Sequence, residues 1–198
     1  MIDDFAKDYL HQDLRWVRQS MLGQIDDLSE YEIRRPMTTT GTNLLGLIKH
    51  LTMTETVYFG EIFDRAAPWP HPRYDEPGYR NRDSLWVSES ESRADVVDSY
   101  LRAWAHADAT IDALPIDTVG FVPWWPQPTV KLFNVMIHVL TETNRHAGHA
   151  DILREQLNER NGLPRMADAA DWDSHRALIE RAAHRAAAES DPHIDDAP

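Results

Sequence analysis

His138, Glu142, His146 and His149 follow one another at spacings of four, four and three residues. At about 100° per residue, such spacing confines all four to one narrow arc of a single α-helix. Val135 and Leu153 fall on the same arc, so the polar cluster lies within the apolar face of that helix. A carboxylate buried there without a partner is costly or takes up a proton, so Glu142 requires a cation, a basic side chain or a network of donors. His50, beside Leu47, Leu51 and Thr54 on the inward stripe of a second helix, can meet the cluster across a bundle core. His50, Glu142 and His146 would supply two imidazoles and one carboxylate. That donor set suits one zinc ion, tolerates nickel, iron or manganese, and leaves coordination positions for water or substrate. A Glu-x-x-His pair on each of two helices, which di-iron bundles use, does not occur, so one metal is expected rather than two.

Each part has a plainer reading when taken alone. A Glu and a His four residues apart are common on exposed helices, and a lone His50 reads as a hydrogen-bonded, half-buried histidine. His138 and His149 read as groups that orient a ligand or move protons, or as filling for the bundle end. Trp124 and Trp125 read as the wall of a small-molecule pocket or as structural cover. His11, His71, His106, His175, His184 and His193 show no convergent partners and are expected at the surface or in loops.

Helices must position these groups. Residues 4 to 28 carry Phe5, Leu10, Leu14, Val17, Met21 and Ile25 at three- and four-residue spacings, the stripe of a first helix. The hydroxyls around Thr38-Thr39-Thr40 can cap a second, reaching Arg65 with Leu44, Leu47, Leu51 and Val57 or Tyr58 inward. Prolines and aromatics between residues 66 and 87 predict an ordered crossover against the bundle. Ser88 to Glu91 can then cap a third helix to about residue 113, where Pro115 stops it. A second crossover, Ile116 to Pro128, carries Val122-Pro123-Trp124-Trp125-Pro126, and Thr129 can cap the fourth helix, roughly 130 to 160. No alternating β-rich runs intervene. The expectation is an all-α, antiparallel four-helix bundle with long crossover connections over residues 1–165. Residues 166–198 would add a weaker fifth helix, around Leu178, Ile179 and Ala182, and a solvated tail.

Composition narrows the function classes. The formal charge is -13, from 33 acids against 20 bases, without a basic patch, which argues against nucleic acid or anionic membrane as partner. The longest apolar runs fall far below the roughly 20 residues of a spanning helix, and Met1-Ile2-Asp3-Asp4 is too acidic to open a signal peptide, so a cytoplasmic protein is expected. With no cysteine, a metal must be held by imidazole and carboxylate, and thiol chemistry must use an external thiol. The crossovers leave helix faces that could pair two copies into a symmetric dimer.

Gly46-Leu47-Ile48-Lys49-His50-Leu51, the Val122-Pro123-Trp124-Trp125 crossover and the run from His138 to Arg154 together resemble the DinB-like bundle superfamily, in its actinobacterial mini-circle-protein branch. The resemblance spans roughly residues 5 to 160, and the helix-four run is its specific part. It implies a four-helix bundle whose metal is held by one histidine of the second helix and two residues four apart on the fourth, here His50, Glu142 and His146. Many DinB-like proteins carry histidine where this chain has Glu142. The mycothiol-dependent maleylpyruvate isomerases are similar to it in placing glutamate there, but they carry a further C-terminal domain that residues 165 to 198 are too short and polar to replace.

Three functions follow as expectations. The first is a metal-dependent enzyme that transfers a low-molecular-weight thiol of the mycothiol type to an electrophilic small molecule, as S-transferase or isomerase. The second is a metal-dependent hydrolase in which His149 or His138 moves protons. The third is a non-catalytic protein that binds a metal or a small ligand.

Overall fold

The computed structural model describes residues 4–71, 83–158 and 169–190. The chain falls into two units, Met1–Gly162 and Leu163–Pro198. The first contains α1 (Asp4–Gly23), the short α2 (Glu30–Arg34), α3 (Leu44–Phe59), α4 (Arg93–Ala113) and α5 (Leu132–Asn158). The four long helices bury their stripes in one core containing Leu14, Met21, Leu51, Tyr100, Ile111 and Val135. Each such side chain stabilises the fold by about 1.5–3 kcal/mol relative to exposure. The fold is thus the expected all-α bundle.

Cross-helix pairs set the directions. Lys49, near the start of α3, meets Glu91 just before α4, and Arg65, just past α3, bonds Thr110 near the end of α4. α3 and α4 therefore run parallel, which corrects the expected antiparallel arrangement and which the long connection between them permits. α5 returns antiparallel to α3, placing His146 against His50 and His138 against Tyr58. α1 lies antiparallel to α4, with His11 bonded to Asp108 and Arg93 to the Leu28 carbonyl.

Several local expectations are corrected. α1 ends at Gly23 rather than near residue 28, because the chain turns over Gln24 to Asp27, with Asp27 left-handed at φ 58°. Phe5 is 75% exposed and stacks on Tyr9 instead of entering the core. The cap of α3 is Asn43, whose side chain accepts from the Gly46 N–H at 2.8 Å, while Thr38 closes a separate turn by accepting from the Thr42 N–H. α4 is capped by Ser92, in a reciprocal capping box with Asp95. Another such box, Ser29 with Glu32, opens α2, which the periodicity did not predict.

The second crossover holds a hairpin, β1 (Val119–Phe121) antiparallel to β2 (Thr129–Lys131), with Gly120 opposite Val130. Thr129 thus pairs in a strand instead of capping α5. Strands of three residues carry too little alternation to be read from sequence. A Cβ on Gly120 would stand 2.7 Å from the Phe63 ring and 2.9 Å from the Ile62 carbonyl oxygen, so glycine lets the hairpin lie on the 3₁₀ turn Glu61–Phe63.

In the second unit, α6 (Ala169–Ser190) is the expected extra helix, with Trp172, Leu178 and Ile179 exposed. Residues 72–82 of the first crossover, residues 159–168 and the tail Asp191–Pro198 lie outside the described residues. Among the described residues no helix is long and apolar enough to cross a membrane.

Candidate metal centre

The site begins with a glycine. A Cβ on Gly46 would collide with the Leu85 carbonyl oxygen, so its absence lets the 3₁₀ turn Asp83–Leu85 settle on the first turn of α3. That contact delivers buried Ser84, whose Oγ lies 3.2 Å from Nδ1 of His50. With Nδ1 engaged outward, Nε2 of His50 turns to α5 and stands 3.6 Å from Oε1 of Glu142. Nε2 of His146, one turn further along α5, lies 3.1 Å from the same oxygen. The two imidazoles meet edge to face at 4.8 Å between centroids. Nδ1 of His146 is in turn 3.4 Å from Nδ1 of His149.

Two ring nitrogens thus converge on one carboxylate oxygen, and each ring's other nitrogen is occupied behind it. An outer partner at Nδ1 is how a histidine is oriented for ligation: with a metal bound, Nδ1–H would donate outward and Nε2 would present its lone pair, whereas without one Nε2–H can donate to Glu142. The bonds from His146 and His50 hold the Glu142 carboxyl well below the usual carboxylate range, outweighing its partial burial, and Arg145 adds to the effect from 3.6 Å. Glu142 is therefore an anion at neutral pH. The three donor atoms all lie within 4.8 Å of one another. Two zinc–ligand bonds reach across roughly 4 Å, so a small closing movement would bring all three onto one ion. Two nitrogens, one ionised oxygen and an open side about a fifth exposed fit a divalent cation.

A family model described as Mycothiol-S-transferase matches residues 9–159. The chain belongs to the mycothiol-S-transferase family. The match begins within α1, runs to the end of α5 and includes all three converging residues, in keeping with the DinB-like resemblance. No curated protein matches the chain.

Within this family member the other expected site residues separate into two groups. His149 is exposed on α5 and, among the described residues, touches the cluster through His146. His138 packs its ring 4.7 Å from Tyr58 and 4.8 Å from Trp125, and burial lowers its pKa. Trp124 and Trp125 both donate their indole N–H to the Tyr58 hydroxyl, at 3.2 and 3.1 Å. Ser84 was not singled out from the sequence, and nothing could have done so: it comes from the proline-rich crossover, at no fixed spacing from His50.

The remaining histidines correct an expectation. His11 is buried and bonds Asp108 at 2.8 Å, His71 bonds Glu61 at 2.9 Å, and His106 bonds the Arg65 carbonyl at 2.7 Å. Their partners lie on other elements or in irregular turns, where periodicity cannot register them. His175 and His184 are exposed on α6, and His193 lies outside the described residues.

Proposed function

We propose that this protein is a metal-dependent thiol S-transferase, with His50, Glu142 and His146 holding one divalent ion, zinc first among the candidates. The observation that carries the reading is the convergence of those three donors in a member of the mycothiol-S-transferase family. A divalent cation there supplies positive charge that favours the thiolate form of a thiol at neutral pH. The chain does the rest. Ser84 and His149 fix the two imidazoles, Glu142 contributes a negative charge, and the exposed side of the cluster admits a thiol of the mycothiol class and an electrophilic small molecule. The absence of cysteine leaves no internal thiolate to compete for the sulfur position.

The test combines elemental analysis, calorimetry and turnover. The purified protein is expected to carry about one divalent ion per chain. Mycothiol should bind the metal-loaded form with release of a proton, read as a dependence of binding heat on buffer ionisation enthalpy. Conjugation of an electrophile should vanish in His50→Ala and His146→Ala. Metal-replete protein that binds no thiol at millimolar concentration, yet hydrolyses a test ester or amide, would replace this reading with the hydrolase.

A further inference from the structure

Tyr58 stands two turns beyond His50 on α3, as His138 stands one turn before Glu142 on α5, so the antiparallel pair brings these two side chains together. The hydroxyl is buried, and its oxygen accepts from both Trp124 and Trp125. A phenol oxygen has two acceptor positions and one proton to give. Both acceptor positions are taken, and both by the same loop of the hairpin. The proton must therefore point away from the hairpin, and among the described residues no bond to an acceptor uses it.

The charge state of Tyr58 agrees with that geometry. Burial raises its pKa, the two indole donors pull the other way, and the Glu142 carboxylate raises it further. Tyr58 stays a neutral phenol at neutral pH. Its polarity is thus locked: whatever meets this hydroxyl must accept a hydrogen bond. A second donor, such as an amine or an alcohol proton, finds no lone pair open.

We infer that Tyr58 is the hydrogen-bond donor that selects the electrophile, and that the preferred class carries a carbonyl oxygen conjugated to the carbon that takes sulfur. The inference deepens the transferase reading and rests on it. In the addition, the sulfur lone pair of the thiolate forms a C–S bond at the β-carbon. The C=C π pair moves toward the carbonyl, and negative charge grows on its oxygen, where the Tyr58 O–H donates. A proton from water then closes the α-carbon, matching the proton the thiol released earlier, so no oxidant, reductant or leaving group is needed. A donor aimed where charge develops is stronger in the transition state than in the ground state. His138 and Trp125, packed on the Tyr58 and His138 rings respectively, hold the phenol in place and offer flat surface to an unsaturated substrate.

Two measurements on wild type and Tyr58→Phe decide it. The first is binding to the metal-free full-length protein, followed by tryptophan fluorescence, of an unreactive saturated ketone (4-phenyl-2-butanone) and its hydrocarbon counterpart (butylbenzene). Loss of one hydrogen bond should weaken the ketone about 3- to 10-fold and leave the hydrocarbon unchanged. The second is mycothiol transfer by metal-loaded protein to 4-phenyl-3-buten-2-one and to benzyl bromide, which has no carbonyl. The variant should lose about 100-fold in kcat/KM for the enone, within the range for an oxyanion donor, and less than twofold for the bromide. Trp124→Phe, which frees one lone pair while keeping the phenol, serves if Tyr58→Phe fails to fold. It should raise affinity for 4-phenyl-2-butanol relative to 4-phenyl-2-butanone, because the alcohol can then donate to the freed lone pair as well as accept, and an unchanged ratio overturns the assignment. Equal losses for enone and bromide, no loss for either, or no difference between ketone and hydrocarbon overturn the assignment of Tyr58 while leaving the transferase reading intact. Turnover of neither electrophile by wild type overturns the transferase reading and the enone assignment with it.

Discussion

α3 carries a charge cluster on each of two faces, and they differ in every respect that separates structure from chemistry. His50 faces Glu142 and His146 across one side. Glu55, five residues on and about 140° around the helix, faces Arg18 of α1. Arg18 and Glu55 are both fully buried and form a bidentate pair, and Arg18 also donates to Asp108 at 2.7 Å. Arg15 and His11 complete the Asp108 carboxylate, at 2.9 and 2.8 Å. The deeper cluster brings its own cations and is closed at the Arg18–Glu55 pair, while Asp108 at its rim is about a quarter exposed. The shallower one brings an anion and two imidazoles and stays open on one side. Where a bundle supplies a guanidinium for a buried carboxylate it has built a brace, and where it supplies Nε2 atoms instead it leaves a place that a cation could take.

The comparison breaks first on stability. Removing one partner of a fully buried pair strands a charge in the core, so Arg18→Ala should cost about 3–5 kcal/mol. Replacing both partners by apolar residues of similar volume, as Arg18→Met with Glu55→Leu, should recover much of that loss. Glu142→Ala in metal-free protein should cost no more than about 1 kcal/mol, since its side chain is partly solvated and screened. Urea denaturation of the metal-free proteins gives all three numbers. A cheap Arg18→Ala or an expensive Glu142→Ala would erase the distinction between brace and site.

Acid sharpens it next. Burial alone would raise the Asp108 carboxyl, but the bonds from His11, Arg18 and Arg15 outweigh it and hold it well below the usual range. A group whose folded pKa is depressed contributes stability that is complete above its unfolded value, near 4, and is lost as pH falls through the folded value. Wild type should therefore lose stability from about pH 4 downward. Asp108→Asn, which cannot titrate, should be less stable at pH 7 by roughly 1–3 kcal/mol and flatter below pH 4. Urea midpoints between pH 7 and 2 measure this, and parallel slopes for the two proteins would remove Asp108 from the brace.

The site was more legible in the sequence than the brace, for a physical reason. Glu142 and His146 share one helix at a fixed spacing, and His50 lies on the inward stripe of another, so periodicity alone aligns them. Arg18, Glu55 and Asp108 come from three helices, and each looks like one more charged residue among 53 acids and bases. The long helices were legible for the same reason as the site. The short α2, the hairpin and the true caps were not, because each rests on a few residues whose conformation is set by what packs on them. Gly46 and Gly120 show the limit most clearly: each glycine is required by a close approach from a distant segment, and no local pattern carries that information.

The smallest effects distinguish residues that orient the ligands from residues that merely neighbour them. Ser84 touches Nδ1 of His50 and His149 touches Nδ1 of His146, so each orients a converging ring. Ser84→Ala and His149→Ala should each weaken metal affinity by about 10- to 100-fold while leaving one ion per chain at saturation. His138 meets Tyr58 and Trp125 by ring packing, so His138→Phe should keep metal affinity within about threefold of wild type, below that range. Competition titration against a chromophoric chelator orders the three variants. Because Ser84 is buried and His149 exposed, water can replace the imidazole more readily than the hydroxyl. Ser84→Ala should therefore be the weaker binder of the two. The reverse order would mean that the orientation of His146, rather than that of His50, governs the site. An effect of His138→Phe as large as either would mean that the aromatic cluster and the three converging donors form one unit rather than two.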